Sequence, residues 1–339
     1  MVYSKKTILA VILAAGISLT GCSSVVGAMN EAVDQNDNTE IHVQIPSGAS
    51  TTKISEILEE QELIMNATMF KMLSKDLSAD GKMQAGEYVL SKAMTSEDII
   101  NKLVEGDVFI ETFKFTIPEG FETRHIIEKL TLSEIVSEEK FRELLSSGSF
   151  EYKFLEDVNS ETNMEGFLFP ETYEMKAGSS ERAVIDKMLG QFDTVFKDEY
   201  YTRAEELGMT ITEVVTLASV IEREAQLDTE RALVSGVFHN RINKGWKLQS
   251  CATVQYILGE RKEILSYNDI AIDSPYNTYL NAGLPPSPIA SPGEKSIIAA
   301  LYPEKTDYMF FVASGDNDGS HIFSKTLREH EKAIKSRKK

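Results

Sequence analysis

Glu222-Arg223-Glu224 closes the most regular amphipathic segment of the chain, and carboxylates at a helix edge can carry protons in catalysis. The segment is read as a helix over Ile211 to Gln226. Its apolar positions 211, 214, 215, 218, 221 and 225 form one stripe at about 100° per residue. Glu222 and Glu224 fall on opposite edges of that stripe, each roughly 80° from its centre on the same arithmetic. Arg223 is expected to face solvent. A carboxylate at the rim of an apolar face is partly desolvated, which raises its pKa and lets it hold a proton near neutral pH. A general acid needs that. Spacing does not separate Glu222 from Glu224, and an acidic pair decorating an ordinary surface helix reads the same way.

The elements that must position such a group follow it. Asp228 reads as the cap of a helix from Thr229 to about Asn243, ended near Gly245. Beyond it lie Leu248-Gln249-Ser250-Cys251-Ala252-Thr253-Val254-Gln255-Tyr256 and Ser274-Pro275-Tyr276-Asn277-Thr278-Tyr279, then Gly283-Leu284-Pro285-Pro286-Ser287-Pro288-Ile289. Six of the nine prolines fall between Pro275 and Pro303, so amides, hydroxyls and aromatic rings are concentrated on stiff loops. A sugar-binding groove needs that combination of ring faces and hydrogen-bonding groups. A hairpin (Tyr308 to Ala313, His321 to Ser324) and a last helix close the region.

The first half contains a repeat. Ile45-Pro46-Ser47-Gly48 recurs 72 positions later as Ile117-Pro118-Glu119-Gly120, with Thr51 matching Thr123, Ile54 matching Ile126 and Leu58 matching Leu130. Each copy reads as a strand (Ile41 to Ile45; Phe113 to Ile117), a Pro-Gly turn and an amphipathic helix. The first copy continues into a helix from Ala67 to Leu77, a strand Gly86 to Leu90, and a helix capped by Thr95 or Ser96. That strand–helix–helix–strand unit is similar to a LysM-type glycan-binding module, although composition alone allows any small α+β domain. Residues 131 to 200 read as mostly helical, broken by Glu165-Gly166-Phe167-Leu168-Phe169-Pro170-Glu171-Thr172-Tyr173, whose aromatics around Gly and Pro suit a buried loop.

Bulk properties exclude several classes. The formal net charge is −18, from 53 acidic and 35 basic side chains, which argues against a nucleic-acid partner. The basic cluster Lys335-Ser336-Arg337-Lys338-Lys339 reads as a solvated tail. Cys22 and Cys251 allow one disulfide at most, and the five scattered histidines show no metal-site spacing. At the N-terminus, Lys5 and Lys6 precede an apolar run from Ile8 to Leu19, followed by Leu19-Thr20-Gly21-Cys22. The run is short for a bilayer span and suits a secretory signal. Small residues before a cysteine are similar to a lipoprotein signal, in which Cys22 becomes the lipidated mature terminus; the alternative is a single uncleaved transmembrane anchor. Polar residues after Cys22 read as a tether.

Taken together, Leu217-Ala218-Ser219-Val220-Ile221-Glu222-Arg223-Glu224-Ala225, Phe238-His239-Asn240-Arg241, the Gln249 to Tyr256 run, Tyr276 to Tyr279, Gly283 to Ile289, Glu165 to Tyr173 and the repeated Ile-Pro-x-Gly turns resemble the YceG-like endolytic murein transglycosylases, in order, over roughly residues 40 to 332. The resemblance implies an α+β chain: a signal peptide over 1–21, a tether over 22–40, a LysM-like module over 41–110 and a mixed α/β catalytic domain over 111–339, with a catalytic helix and proline-rich groove loops. It implies that Glu224 is the essential acid/base and that Glu222, Asn240, Gln249, Thr253, Tyr276, Asn277, Thr278 and Tyr279 contact substrate. Cys251 stands where the family usually has Asp.

The implied reaction cleaves the N-acetylmuramic acid to N-acetylglucosamine bond within glycan strands and leaves a 1,6-anhydro end, helping terminate strand elongation. It requires no metal or organic cofactor. The implied surroundings are peptidoglycan strands, the outer face of the cytoplasmic membrane, and coordination with penicillin-binding proteins. Two other readings stay open: a muramidase using water with Glu222 or Glu171 as second carboxylate, and a glycan-binding scaffold lipoprotein with an inactive groove.

Overall fold

The computed structural model describes residues 30–156, 158, 164–262 and 264–337. The expected signal peptide, Cys22, the first part of the tether, and Lys338 and Lys339 lie outside the described residues. Two compact units meet in sequence at Glu111 and Thr112.

In the first unit β1 (Ile41–Ile45) pairs antiparallel with β2 (Gly86–Leu90), Ile41 opposite Leu90 and Ile45 opposite Gly86. Alternation puts Val43, Ile45, Tyr88 and Leu90 inside. They pack on the apolar stripes of α1 (Thr51–Glu60), α2 (Ala67–Asp76) and α3 (Ser96–Glu105). Local chemistry sets the helix ends. Ser50 accepts the Lys53 N–H at the start of α1, Asn66 caps α2, and Thr95 with Asp98 forms a reciprocal capping box on α3. The stretch read as a tether is docked from Asn30 onward. Asn30 donates to Glu97 and accepts the Glu97 N–H, both at 2.8 Å, satisfying an orphan donor of α3. Backbone bonds from Asp34 to Lys92 and from Ala93 to Asp37 continue the attachment.

The second unit opens with the same plan. β3 (Thr112–Thr116) pairs antiparallel with β4 (Thr172–Lys176), Thr112 opposite Lys176. Between them lie α4 (Thr123–Leu132), α5 (Glu138–Ser147) and a short turn of helix at Lys153–Leu155. After β4 comes α6 (Glu181–Val195). The repeat is therefore longer than the strand–turn–helix visible in sequence, and Thr172 and Tyr173, read as loop, begin its return strand. The aromatic loop before β4 is buried, with Phe167, Phe169 and Phe192 in ring contact.

The remainder is mostly helical: α7 (Asp198–Leu207), α8 (Ile211–Glu224), α9 (Asp228–Asn243), α10 (Cys251–Leu258), α11 (Glu294–Leu301), the hairpin β5 (Phe310–Ala313) and β6 (His321–Ser324), and α12 (Leu327–Ser336). Thr210 and Glu213 cap each other at the start of α8. Val214, Val215, Leu217, Ala218, Val220 and Ile221 are all fully buried. Such a helix is apolar nearly all round and belongs in the middle of a domain. It packs chiefly on α11 and also on α9, α10 and α7.

Candidate active site

Helix α8 ends at Glu224, and its last three residues leave in three directions. Ala225, the C-cap, is already extended. Glu222 faces α11, where its Oε2 accepts from Gly293 N–H (3.1 Å) and Ser296 Oγ (2.7 Å) and pairs with Arg231 Nη1 at 3.2 Å. Both donors sit at the start of α11, so the carboxylate lies at that helix's positive N-terminal end. Arg223 does not reach solvent as expected. Its side chain is 4% exposed and donates to Glu122, itself 3% exposed, at 3.1 Å. The turn after β3 covers this edge of α8: Gly120, at φ 72°, takes a left-handed conformation that favours glycine and lies beside Arg223 and Glu222. Backbone bonds between Gly120 and Ser291 and between Ser291 and Phe121 fix that turn to the proline-rich loop.

Glu224 faces the N-terminus of α10. Its Oε1 accepts from Ser250 Oγ at 2.5 Å and from Ala252 N–H at 3.3 Å. Its Oε2 has no hydrogen-bond partner among the described residues. Ser250 is held in turn: its N–H donates to Thr278 Oγ1 (3.0 Å), and Thr253 Oγ1 donates to its carbonyl (2.9 Å). The Gln249 N–H donates to the Thr278 carbonyl at 3.0 Å, with Gln249 in the left-handed region at φ 50°. Gln249, Thr253 and Thr278 are thus brought together as a frame behind the carboxylate. Tyr279 joins at its edge, its hydroxyl 3.1 Å from Cys251 Sγ. Burial pushes the Cys251 thiol up, against the lowering effect of the Tyr279 hydroxyl, although part of the residue's surface is open. Burial likewise raises the Tyr279 phenol.

Four expected contacts lie elsewhere or are otherwise engaged. Asn240 donates from α9 to the carbonyls of Thr306 (2.8 Å) and Tyr308 (2.9 Å), latching the chain before β5 instead of entering the Glu224 group. Asn277 is fully buried, and its amide donates to the carbonyls of Ile270 and Ile272 while accepting the Tyr279 N–H. It shapes the loop that carries Thr278. Glu222 is engaged with Arg231 and α11, as above. Tyr276 bonds Ser287 Oγ at 2.6 Å and packs against Tyr256, 5.1 Å between ring centroids. Asp228 is the first residue of α9 and does not cap it; it pairs with Arg231 and Lys295.

Sequence reasoning missed Ser250, Glu122 and Glu165. Ser250 is a serine before a helix, a signal that capping rules supply. Glu122 accepts from Arg124 as well as Arg223. Glu165 is buried. It accepts at Oε1 from Thr123 N–H (2.9 Å) and Thr123 Oγ1 (3.1 Å), and at Oε2 from the Tyr256 hydroxyl (3.3 Å). Desolvation outweighs those donors and pushes its pKa up to about 7. Nothing local in the sequence marks it, because its partners come from α4 and α10.

A model of the YceG-like family matches residues 43–336. An endolytic murein transglycosylase of Bacillus subtilis is 34% identical over 321 residues, covering 89% of this chain and 86% of that protein. One from Streptococcus pneumoniae is 29% identical over 330 residues, covering 89% of this chain and 59% of that protein. The 2.6 Å crystal structure of a yceG-like protein from Listeria monocytogenes is similar with a TM-score of 0.59 at 35% identity, covering 86% of this chain and 98% of that one. With that match over most of its length, and with the Glu224 frame in place, the chain belongs to the YceG-like family.

Proposed function

We propose that this chain is an endolytic murein transglycosylase in which Glu224 performs both proton transfers. The observation that carries the reading is the arrangement of its two oxygens: Oε1 fixed by Ser250 and Ala252, Oε2 without a partner among the described residues. One oxygen is thereby oriented while the other can address a substrate. In the protonated form Glu224 donates to the glycosidic oxygen as the bond to muramoyl C1 breaks. As carboxylate it then removes the proton from the C6 hydroxyl, whose oxygen closes on C1 to give the 1,6-anhydro ring and returns the acid to its starting form. A single carboxylate suffices, whereas most hydrolytic glycosidases need two flanking the bond. Glu222, engaged with Arg231, and Glu171, bonded to its own Thr172 N–H, offer little support for a second catalytic carboxylate. Gln249, Thr253, Thr278 and Tyr279 line or support the position where the reacting sugar would lie.

The first unit serves, in this reading, as a LysM-like glycan-holding module. Lipidation at Cys22 anchors the chain at the outer face of the cytoplasmic membrane, near wall-synthesising penicillin-binding proteins. Among the described residues no helix is long and apolar enough to cross a membrane. Intact-mass analysis of the membrane fraction tests the anchor.

The catalytic assignment is tested by Glu224→Gln, assayed by mass spectrometry of muropeptides released from purified glycan. General acid–base catalysis is worth about 10² to 10⁴-fold, and a group making both transfers belongs at the upper end. Anhydro ends from the wild type and none from the variant support the reading. Reducing ends would assign a muramidase, and an undiminished variant would remove Glu224 from the chemistry.

A further inference from the structure

A cavity of about 610 Å³ in the second unit takes no part in the proton transfers described above. Buried Glu165, the rings of Tyr256 and Tyr276, the guanidinium groups of Arg124 and Arg142, and exposed Ser146 all line it. The charged and titratable groups around Glu165 are Glu122 and Arg124 from α4, Arg142 and Glu143 from α5, and Tyr256 and Tyr276. Arg124 is already engaged, by Glu122 and by the Tyr256 carbonyl at 2.6 Å.

Two observations make this more than a helix cap in a hollow. The first copy of the repeat has a matching cavity of about 390 Å³, lined by Thr51, Thr52, Lys71, Lys75 and Asp80. There Thr51 Oγ1 donates to Asp80 at 2.6 Å, as Thr123 Oγ1 donates to Glu165 at 3.1 Å in the second. Residues 51 and 123 are related by the repeat offset, so each copy lines a cavity with the equivalent threonine, and only the larger, second one has aromatic rings in its lining. The second cavity is also joined to the catalytic frame. Tyr276 and Thr278 are two residues apart, so at most about 7 Å of chain separates them. Thr278 in turn accepts from Ser250, which holds Glu224.

We propose that this cavity is a saccharide-binding subsite for a sugar of the glycan strand beyond the bond that Glu224 breaks, with Glu165 as the residue that positions Tyr256 within it. The proposal rests on the transglycosylase reading. Aromatic faces beside hydroxyl and guanidinium donors suit a sugar ring and its acetamido group. Glu165 carries no charge while it is protonated. Below about pH 7 its neutral carboxyl can share a hydrogen bond with the Tyr256 hydroxyl in either direction; ionisation leaves Glu165 an acceptor only and puts a desolvated charge in the lining of the cavity.

The test uses peptide-free glycan strands and short saccharides as probes. In the full chain carrying Glu224→Gln, so that nothing is cleaved, Ser146→Trp adds bulk at an exposed helical position that lines the cavity and plugs it without disturbing the core. Long strands should bind about tenfold more weakly, the scale of removing one aromatic or hydrogen-bonding interaction, while short saccharides bind unchanged. In the active enzyme, the wild-type KM for long strands should rise as pH passes about 7, whereas Glu165→Gln holds the low-pH KM throughout. Unchanged binding by the plugged protein, or identical pH profiles for Glu165→Gln and wild type, overturns the subsite. Activity remaining in Glu224→Gln would instead overturn the reading on which it rests.

Discussion

The two copies of the strand–helix–helix–strand unit share a backbone plan and differ in how they finish the turn before their first helix. At equivalent positions stand Ser50 and Glu122, Thr51 and Thr123. Ser50 caps its own helix by accepting the Lys53 N–H, and buried Thr51 reaches the exposed Asp80. Every partner is local or small. In the second copy Glu122 makes no cap bond; it reaches Arg124 and, across to α8, Arg223. The Thr123 N–H is served by buried Glu165. The same fold thus keeps its polar groups satisfied within one copy in the first unit, and is tied to more distant elements of the second unit where a glutamate stands at the cap position and another glutamate serves the threonine. The difference is energetic as well as geometric, because buried charges are costly to leave unpaired and small surface caps are not.

The comparison is most exposed at Glu122. Glu122→Ala leaves Arg223 buried without its partner and should destabilise the second unit by about 3–5 kcal/mol, measured by urea unfolding. Ser50→Ala in the first copy should cost only about 1 kcal/mol. Equal costs would mean the second copy's charges are no more integrated than the first copy's cap. Glu165 gives an intermediate effect with a definite sign. Its pKa in the folded state, about 7, lies above the ordinary 4.5, so the folded state holds the proton more tightly. Its contribution is complete below about pH 4.5 and is lost as pH rises through about 7, to an upper limit of roughly 3 kcal/mol. Glu165→Gln should flatten that part of the stability profile; an unchanged slope would place the titration elsewhere.

Much of this is legible because it is written locally. Pro-Gly turns, alternating strands and capping residues place β1, β2, α3 and β6 closely, and the apolar period locates the helix α8. The return strand β4 is not legible: its partner β3 lies far back in the sequence, and the intervening aromatic stretch reads as loop. Periodicity shows one apolar stripe on α8, but the helix is buried almost all round because α11, α9 and α10 converge on it. Arg223 departs from its expected exposure for the same reason, since the turn that covers it comes from the repeat. Asn240 looks like a sugar contact by type, yet its amide meets two carbonyls of a loop more than sixty residues away. Residue type marks what a group can do, and long-range packing decides which groups meet.

The three-way departure of Glu222, Arg223 and Glu224 from the end of α8 also bears on motion. The last turn of a helix ordinarily frays, because its hydrogen bonds open without disturbing anything else. Here opening that turn would break contacts to α11, α4 and α10 together. Its amides should therefore exchange with solvent deuterium only in the global unfolding of the second unit, on the same slow clock as Val215 and Leu217 in mid-helix. The end of α8 would then be among the stillest places in the molecule.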